Sequence, residues 1–133
     1  MKVDKFKAVE EWVTAAAIVF GISHWEIAIS RDFADPDADA DIEVSPQRSY
    51  AEMRLQKDFF SYDPEKQRVT LCHELGHIVN AGTDRVVENL EEALGKIGWS
   101  TFEPNYLDAT ERATDHWARI VSPLLPLPQF PKS

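Results

Sequence analysis

The sequence predicts an α+β fold: one helix, a small three-stranded sheet, then three more helices. Three observations lead there. Phe6, Val9, Val13, Ala16, Ala17 and Phe20 recur at helical spacing. From Trp25 the period falls to two, with Trp25, Ile27 and Ile29 alternating with other residues. After Asp63-Pro64, a pair suited to the first positions of a helix, the helical spacing returns.

The 133 residues suffice for one domain and leave no room for a second core of ordinary size. The expected division is a single domain over residues 1–122 and a proline-rich tail over 123–133. A hydrophobic share of 44% with 28% charged residues excludes wholesale disorder. Fourteen basic against 23 acidic residues give a net charge of −9. Such a surface is poorly suited to nucleic acid or anionic lipid, so neither is an expected partner. One cysteine excludes an internal disulfide framework and a cysteine-rich zinc site.

The first helix is expected over about residues 4–20. Lys2, Lys5 and Lys7 before the apolar run Val13–Ile22 imitate a signal peptide, but Asp4, Glu10 and Glu11 interrupt the basic stretch. No small-residue cleavage site follows Gly21-Ile22-Ser23, and the run is too short to cross a bilayer. The expectation is a cytoplasmic chain without a membrane partner. Strands follow at 25–29, around Ile42 and Val44 (stopped by Pro46), and at Ala51–Gln56, where Ala51, Met53 and Leu55 alternate with polar residues. Asp32–Asp41 is an acidic loop. The helix begun at Asp63 should reach about Asn80, with Gly82 just past its end. A further helix is expected over Asp84–Ile97, turning Val86, Val87, Leu90, Leu94 and Ile97 inward. Gly98–Asn105 is expected as a loop and Tyr106–Val121 as the last helix.

His73-Glu74-Leu75-Gly76-His77 is an H-E-x-x-H pentapeptide inside the segment assigned as helix on other grounds. Residues four apart on a helix leave the same face one turn apart, so both imidazoles can reach one ion. Zinc suits such nitrogen ligands, and one Zn2+ per chain is expected. Glu74 is then placed to act as general base on a metal-activated water. A third protein ligand is required. On the last helix Glu111 and Asp115 share a face, which allows Glu111 to ligate and Asp115 to steady a ligand imidazole through its far ring nitrogen. Glu88, Glu91, Glu92, Glu103 and Asp108 compete for the ligand role, but Glu111 is preferred because only it comes with Asp115 at the right spacing. His116, Tyr106 and Tyr62 are candidate oxyanion donors, unranked by the sequence.

These motifs resemble the gluzincin pattern, H-E-x-x-H followed on a later helix by a glutamate. The likeness extends to the ImmA/IrrE-like metallopeptidases, whose last helix reads E-x-x-A-[N/D]-x-F-A before aliphatic residues and a proline. Here the corresponding residues are Glu111, Thr114, Asp115, Trp117 and Ala118, then Ile120, Val121 and Pro123. Thr114 and Trp117 depart from the usual alanine and phenylalanine. The resemblance implies a minimal zincin-like fold and a zinc metallopeptidase, a hydrolase acting on a peptide or protein substrate. It also implies an edge strand that pairs with extended peptide, for which the strand near Ala51–Gln56 is the candidate. The alternative is a zincin-fold regulatory or protein-interaction module that binds zinc without turnover. Hydrolysis of a non-peptide substrate by the same metal chemistry stays open.

Other signals have plainer readings. Asp35, Asp37, Asp39 and Asp41 imitate a calcium loop, but the required glycine and glutamate positions hold other residues. Cys72 is expected as a buried, inert thiol. The four tryptophans are expected in the core or cleft walls, and His24 has no evident partner. Leu124, Leu125, Leu127 and Phe130 favour a tail that packs on the domain or docks on a partner.

Overall fold

In the computed structural model, which describes residues 4–132, helix α1 (Lys5–Val19) opens where the Asp4 carboxylate accepts the Phe6 amide at 3.0 Å. Lys2 and Ser133 lie outside the described residues. The helix closes in a Schellman arrangement. Gly21 takes φ +75°, and the Gly21 and Ile22 amides donate to the Ile18 and Ala17 carbonyls at 3.1 and 2.9 Å.

Three strands follow: β1 (Glu26–Phe33), β2 (Ala40–Ser45) and β3 (Tyr50–Leu55). Their spatial order is β1-β3-β2, with β1 parallel and β2 antiparallel to β3. A short 3-10 turn, Pro46–Arg48, and Ser49 at φ +48° reverse the chain between β2 and β3. The order corrects one expectation. The strand at residues 51–56 is central, with both edges already paired, so it cannot receive a further strand. The open edge beside the later helices belongs to β2.

Along β3 the predicted alternation holds. Ala51, Met53 and Leu55 are buried, while Arg54 is exposed and pairs with Asp41 across the strands at 2.6–2.7 Å. The buried face of the sheet meets Val9, Val13, Ala16 and Ala17 of α1 and Leu71, Cys72, Leu75 and Ile78 of helix α2 (Pro64–Val79). Two helices on one face of a sheet make an α+β arrangement with one shared core.

The Asp63 carboxylate accepts the Lys66 amide at 2.9 Å, and Pro64 occupies the first helical position of α2, as the sequence suggests. The region beyond α2 departs from expectation. Helix α3 (Ala81–Glu88) begins directly after Asn80, so Gly82 lies inside it rather than beyond a helix end. The expected helix over Asp84–Ile97 does not exist as one unit. Its second part belongs to α4 (Glu91–Val121), interrupted by Gly95 at φ +74°, ψ 175°, a conformation suited to glycine. The expected loop over 98–105 is helical and carries Pro104 internally. Side chains serve carbonyls nearby: Ser100 Oγ and Thr101 Oγ1 donate to the Ile97 carbonyl, and Asn105 Nδ2 to that of Thr101. Val86, Leu90, Leu94 and Ile97 do not turn inward but are exposed, because this part of the chain has no core to face. No helix among the described residues is long and apolar enough to cross a membrane.

The proline-rich stretch lies against the domain. Leu125 and Pro128 are buried, and Phe130 stands 6.2 Å from Phe59 and 6.4 Å from Phe60 between ring centres. Trp12 Nε1 donates to the Pro126 carbonyl at 3.2 Å, and Arg68 donates to the Leu125 carbonyl at 2.8 Å. The segment therefore serves as core. A chain ending at Leu124 should lose about 3 kcal/mol or more of stability, from one buried leucine and a largely covered phenylalanine. Urea unfolding measures this, and an unchanged midpoint would show that the segment contributes nothing.

Candidate metal centre

Both histidines project from the second half of α2, between the buried stripe and solvent. His73 and His77 are half-buried, and their Nε2 atoms stand 3.2 Å apart. Glu111 reaches across from α4. Its two carboxylate oxygens lie 2.6 Å from His73 Nε2 and 3.3 Å from His77 Nε2. Three ligand-type residues, through two ring nitrogens and both carboxylate oxygens, thus surround one point. Glu74 adds a second carboxylate to the neighbourhood: it is 5% exposed, and His73, Glu74 and His77 each offer an atom within 4.8 Å of the others. This group can hold a metal ion.

The fit to a small cation can be tested on spacing. Tetrahedral ligands at 2.0–2.1 Å from zinc stand about 3.3 Å from one another. The ring nitrogens, 3.2 Å apart, and Glu111 Oε2, 3.3 Å from His77 Nε2, have nearly this spacing, while Glu111 Oε1, 2.6 Å from His73 Nε2, is at the length of a direct hydrogen bond. The donor set of two imidazole nitrogens and a carboxylate is one that zinc accepts. Two ring nitrogens facing each other can share only one proton, whereas a cation satisfies both lone pairs and the carboxylate together.

Asp115 stands one turn beyond Glu111. Its Oδ1 is 3.7 Å from His73 Nδ1, beyond hydrogen-bond length, and its Oδ2 is 3.3 Å from Arg119 Nε. It faces the far nitrogen of His73 as the sequence suggests, without closing the bond. The candidate oxyanion donors are more remote. The Tyr62 hydroxyl donates to Asp39 at 3.0 Å, the Tyr106 hydroxyl donates to Asp84 at 2.6 Å, and His116 is exposed beside Trp117. None of the three walls either cleft at the centre.

Those clefts share Ala40, Glu74 and Glu111. The larger, ≈ 670 Å3, runs between β2 with Pro46 and the α3 residues Asp84, Arg85 and Glu88. The smaller, ≈ 370 Å3, is walled by Asp37, Ala38, Asp39, His73 and Asp115. The acidic loop is thus cleft wall as well as surface. Asp84 is a functional neighbour that the sequence reading overlooked. It also accepts from Asn80 Nδ2 at 2.9 Å, and its charge acts on His77. Its position on α3, four residues from Asn80, was the available signal. Of the competing carboxylates, Glu88 lines the larger cleft, while Asp108 pairs with Arg112 one turn along α4.

Burial governs the electrostatics. It pushes the Glu74 carboxyl up to about 8, with the charges of Glu111 and Asp41 adding to the effect. It holds His77 below the usual imidazole range, against the pull of Glu111, which favours the neutral ring that a metal needs. It also pushes the Cys72 thiol up to about 12, so the sole cysteine is inert, as expected.

The raised Glu74 value has a stability consequence for the metal-free protein. Below the ordinary carboxyl range the group is protonated in both folded and unfolded chains, and no penalty arises. As pH climbs from about 4.5 to about 8 the unfolded chain releases this proton first, so folding loses stability. Glu74→Gln should remove this loss and stabilise the apo protein at pH 8 by on the order of 4 kcal/mol. Urea titrations of both proteins from pH 5 to pH 8 measure it, and parallel pH profiles would contradict it. Comparison with family models, curated proteins and solved structures found no match, so the functional reading rests on the site itself.

Proposed function

We propose that this chain is a zinc-dependent peptidase of gluzincin type on a minimal zincin-like fold. The observation that carries the reading is the convergence of His73 Nε2, His77 Nε2 and the Glu111 carboxylate on one point beside the buried Glu74. His73, His77 and Glu111 hold the ion. Zinc bound there supplies Lewis acidity toward water and the scissile carbonyl.

The chain's own groups do the rest. Glu74 accepts a proton from water at its carboxylate and returns it to the leaving amine nitrogen. Its burial beside the two rings places the carboxylate where both transfers occur. Asp115 stands on the Nδ1 side of His73, where closing the 3.7 Å gap to hydrogen-bond length would orient the ring. The open edge of β2 borders the larger cleft through Ala40, Asp41, Ile42, Val44 and Ser45. An extended peptide can lie along it by main-chain hydrogen bonding, which gives affinity with little sequence preference.

A second reading has its own support. A groove of ≈ 720 Å3, lined mainly by apolar residues including Val19, Phe20, Val79, Trp117 and Leu124, lies on another side of α2 and α4. A zinc-stabilised interaction module without turnover would use such a surface.

The reconstituted protein should bind about one zinc per chain, measured by elemental analysis after removal of excess metal. Glu74→Gln should retain the ion and lose peptide hydrolysis roughly a hundredfold or more. Glu111→Gln should weaken zinc binding. Digestion of a peptide library, with EDTA as control, separates the readings. Stoichiometric zinc with no cleavage at high protein concentration favours the module, and loss of metal from Glu74→Gln would make Glu74 a ligand.

A further inference from the structure

Gly76 lies between the two histidines on α2 and faces Thr114 of α4. A Cβ placed on Gly76 would stand 2.9 Å from Thr114 Cγ2. Carbon atoms in contact need roughly 3.5–4.0 Å, so a methyl group there must displace something. Thr114 is poorly able to yield. It is 5% exposed, and its Oγ1 donates to the Thr110 carbonyl at 2.8 Å, which fixes the rotamer that aims the methyl at Gly76.

Thr114 also sits three residues from Glu111, on the same side of α4. Thr114 and Ala118 are the buried residues of that helix, so its packing on the domain runs through them. We infer that the Gly76–Thr114 contact is the spacer that sets how closely α4 approaches α2, and thereby whether Glu111 reaches His73 and His77. Gly76 and Thr114 are positioning residues, acting through Glu111. This rests on the metal-centre reading above and adds a determinant to it. Ligand distances tolerate errors of only about 0.2 Å. A methyl group at position 76 pushes α4 outward by several times that amount.

Cobalt(II) titration of the full chain tests this, because the visible spectrum of cobalt reports its coordination independently of catalysis. Four variants are compared with the wild type: Gly76→Ala, Thr114→Ser, the double variant, and Val13→Ala as a destabilised control far along the chain in α1. Thr114→Ser removes the colliding methyl and keeps the hydroxyl. Gly76→Ala should weaken cobalt binding roughly tenfold or more and alter the spectrum. Adding Thr114→Ser should restore both. Val13→Ala should lower Tm with the cobalt affinity unchanged. Alanine is the better helix former, so on an open helix face Gly76→Ala would raise Tm; a fall marks the collision.

A folded Gly76→Ala protein with wild-type affinity and spectrum overturns the inference alone. So does a double variant that does not recover, including one that does not fold. A wild-type chain that binds no cobalt removes the metal-centre reading, and the inference with it.

Discussion

The close approach of α2 to α4 is the constraint on which the rest depends. Each helix offers a pair of polar side chains one turn apart, His73 and His77 on α2, Glu111 and Asp115 on α4. Neither pair makes a site alone. Glu111 is largely exposed along its side chain and reaches the rings only because the helix backbones are near each other. A glycine on one helix and a small β-branched residue on the other allow that nearness. The polar centre therefore inherits its geometry from an ordinary packing contact.

Charge acts in the opposite direction. Glu74 is buried beside Glu111 and Asp41, carboxylates of its own sign, and the cleft walls add Asp37, Asp39, Asp84 and Glu88. Arg54 answers Asp41, and Lys66 approaches Asp39 at 3.6 Å, but these cations lie to the side of the centre. Concentrating negative charge around a buried carboxylate disfavours the ionised folded state. A divalent cation between the rings and Glu111 would offset that strain directly. The same arrangement that weakens the metal-free chain would favour an occupied one, so binding would be coupled to folding.

The local pieces of this arrangement were legible in the sequence, and the spatial ones only partly. Asp63-Pro64 marks a helix start through hydrogen bonding within four residues, and the alternation along Ala51, Met53 and Leu55 marks one buried face. Both signals are local, and both hold. The pairing of Glu111 with Asp115 could be argued from helical spacing, since the partner face is defined by the histidines. Strand order could not. Alternation states which face is buried but not which neighbour each edge takes, so the central place of β3 and the open edge of β2 were invisible. Two of the glycines after α2 illustrate another limit. Gly82 reads as a helix end and Gly95 as helix interior, yet it is Gly95 that adopts a positive φ, because the chain turns there and not earlier. The exposed apolar residues from Val86 to Ile97 imitate a core-facing stripe, since periodicity records an amphipathic face without saying what covers it.

The placement of β2 bears on which reading of the centre is the stronger. Because β1 pairs parallel to β3, the β2–β3 hairpin puts β2 on the outside of the sheet, alongside α2. The segment from Ala40 to Pro46 is then at once the sheet edge and a wall of the larger cleft, opposite Glu74 and His77. An edge strand facing a polar cluster is a poor device for holding a structural ion, which is better enclosed on all sides. It is a good device for laying an extended chain past that cluster. The apolar groove touches α2 at Gly76, Val79 and Asn80 and is lined by neither histidine nor Glu111. A partner seated there would leave the clefts free. The two surfaces therefore do not compete, and an interaction through the groove would not by itself exclude chemistry at the centre.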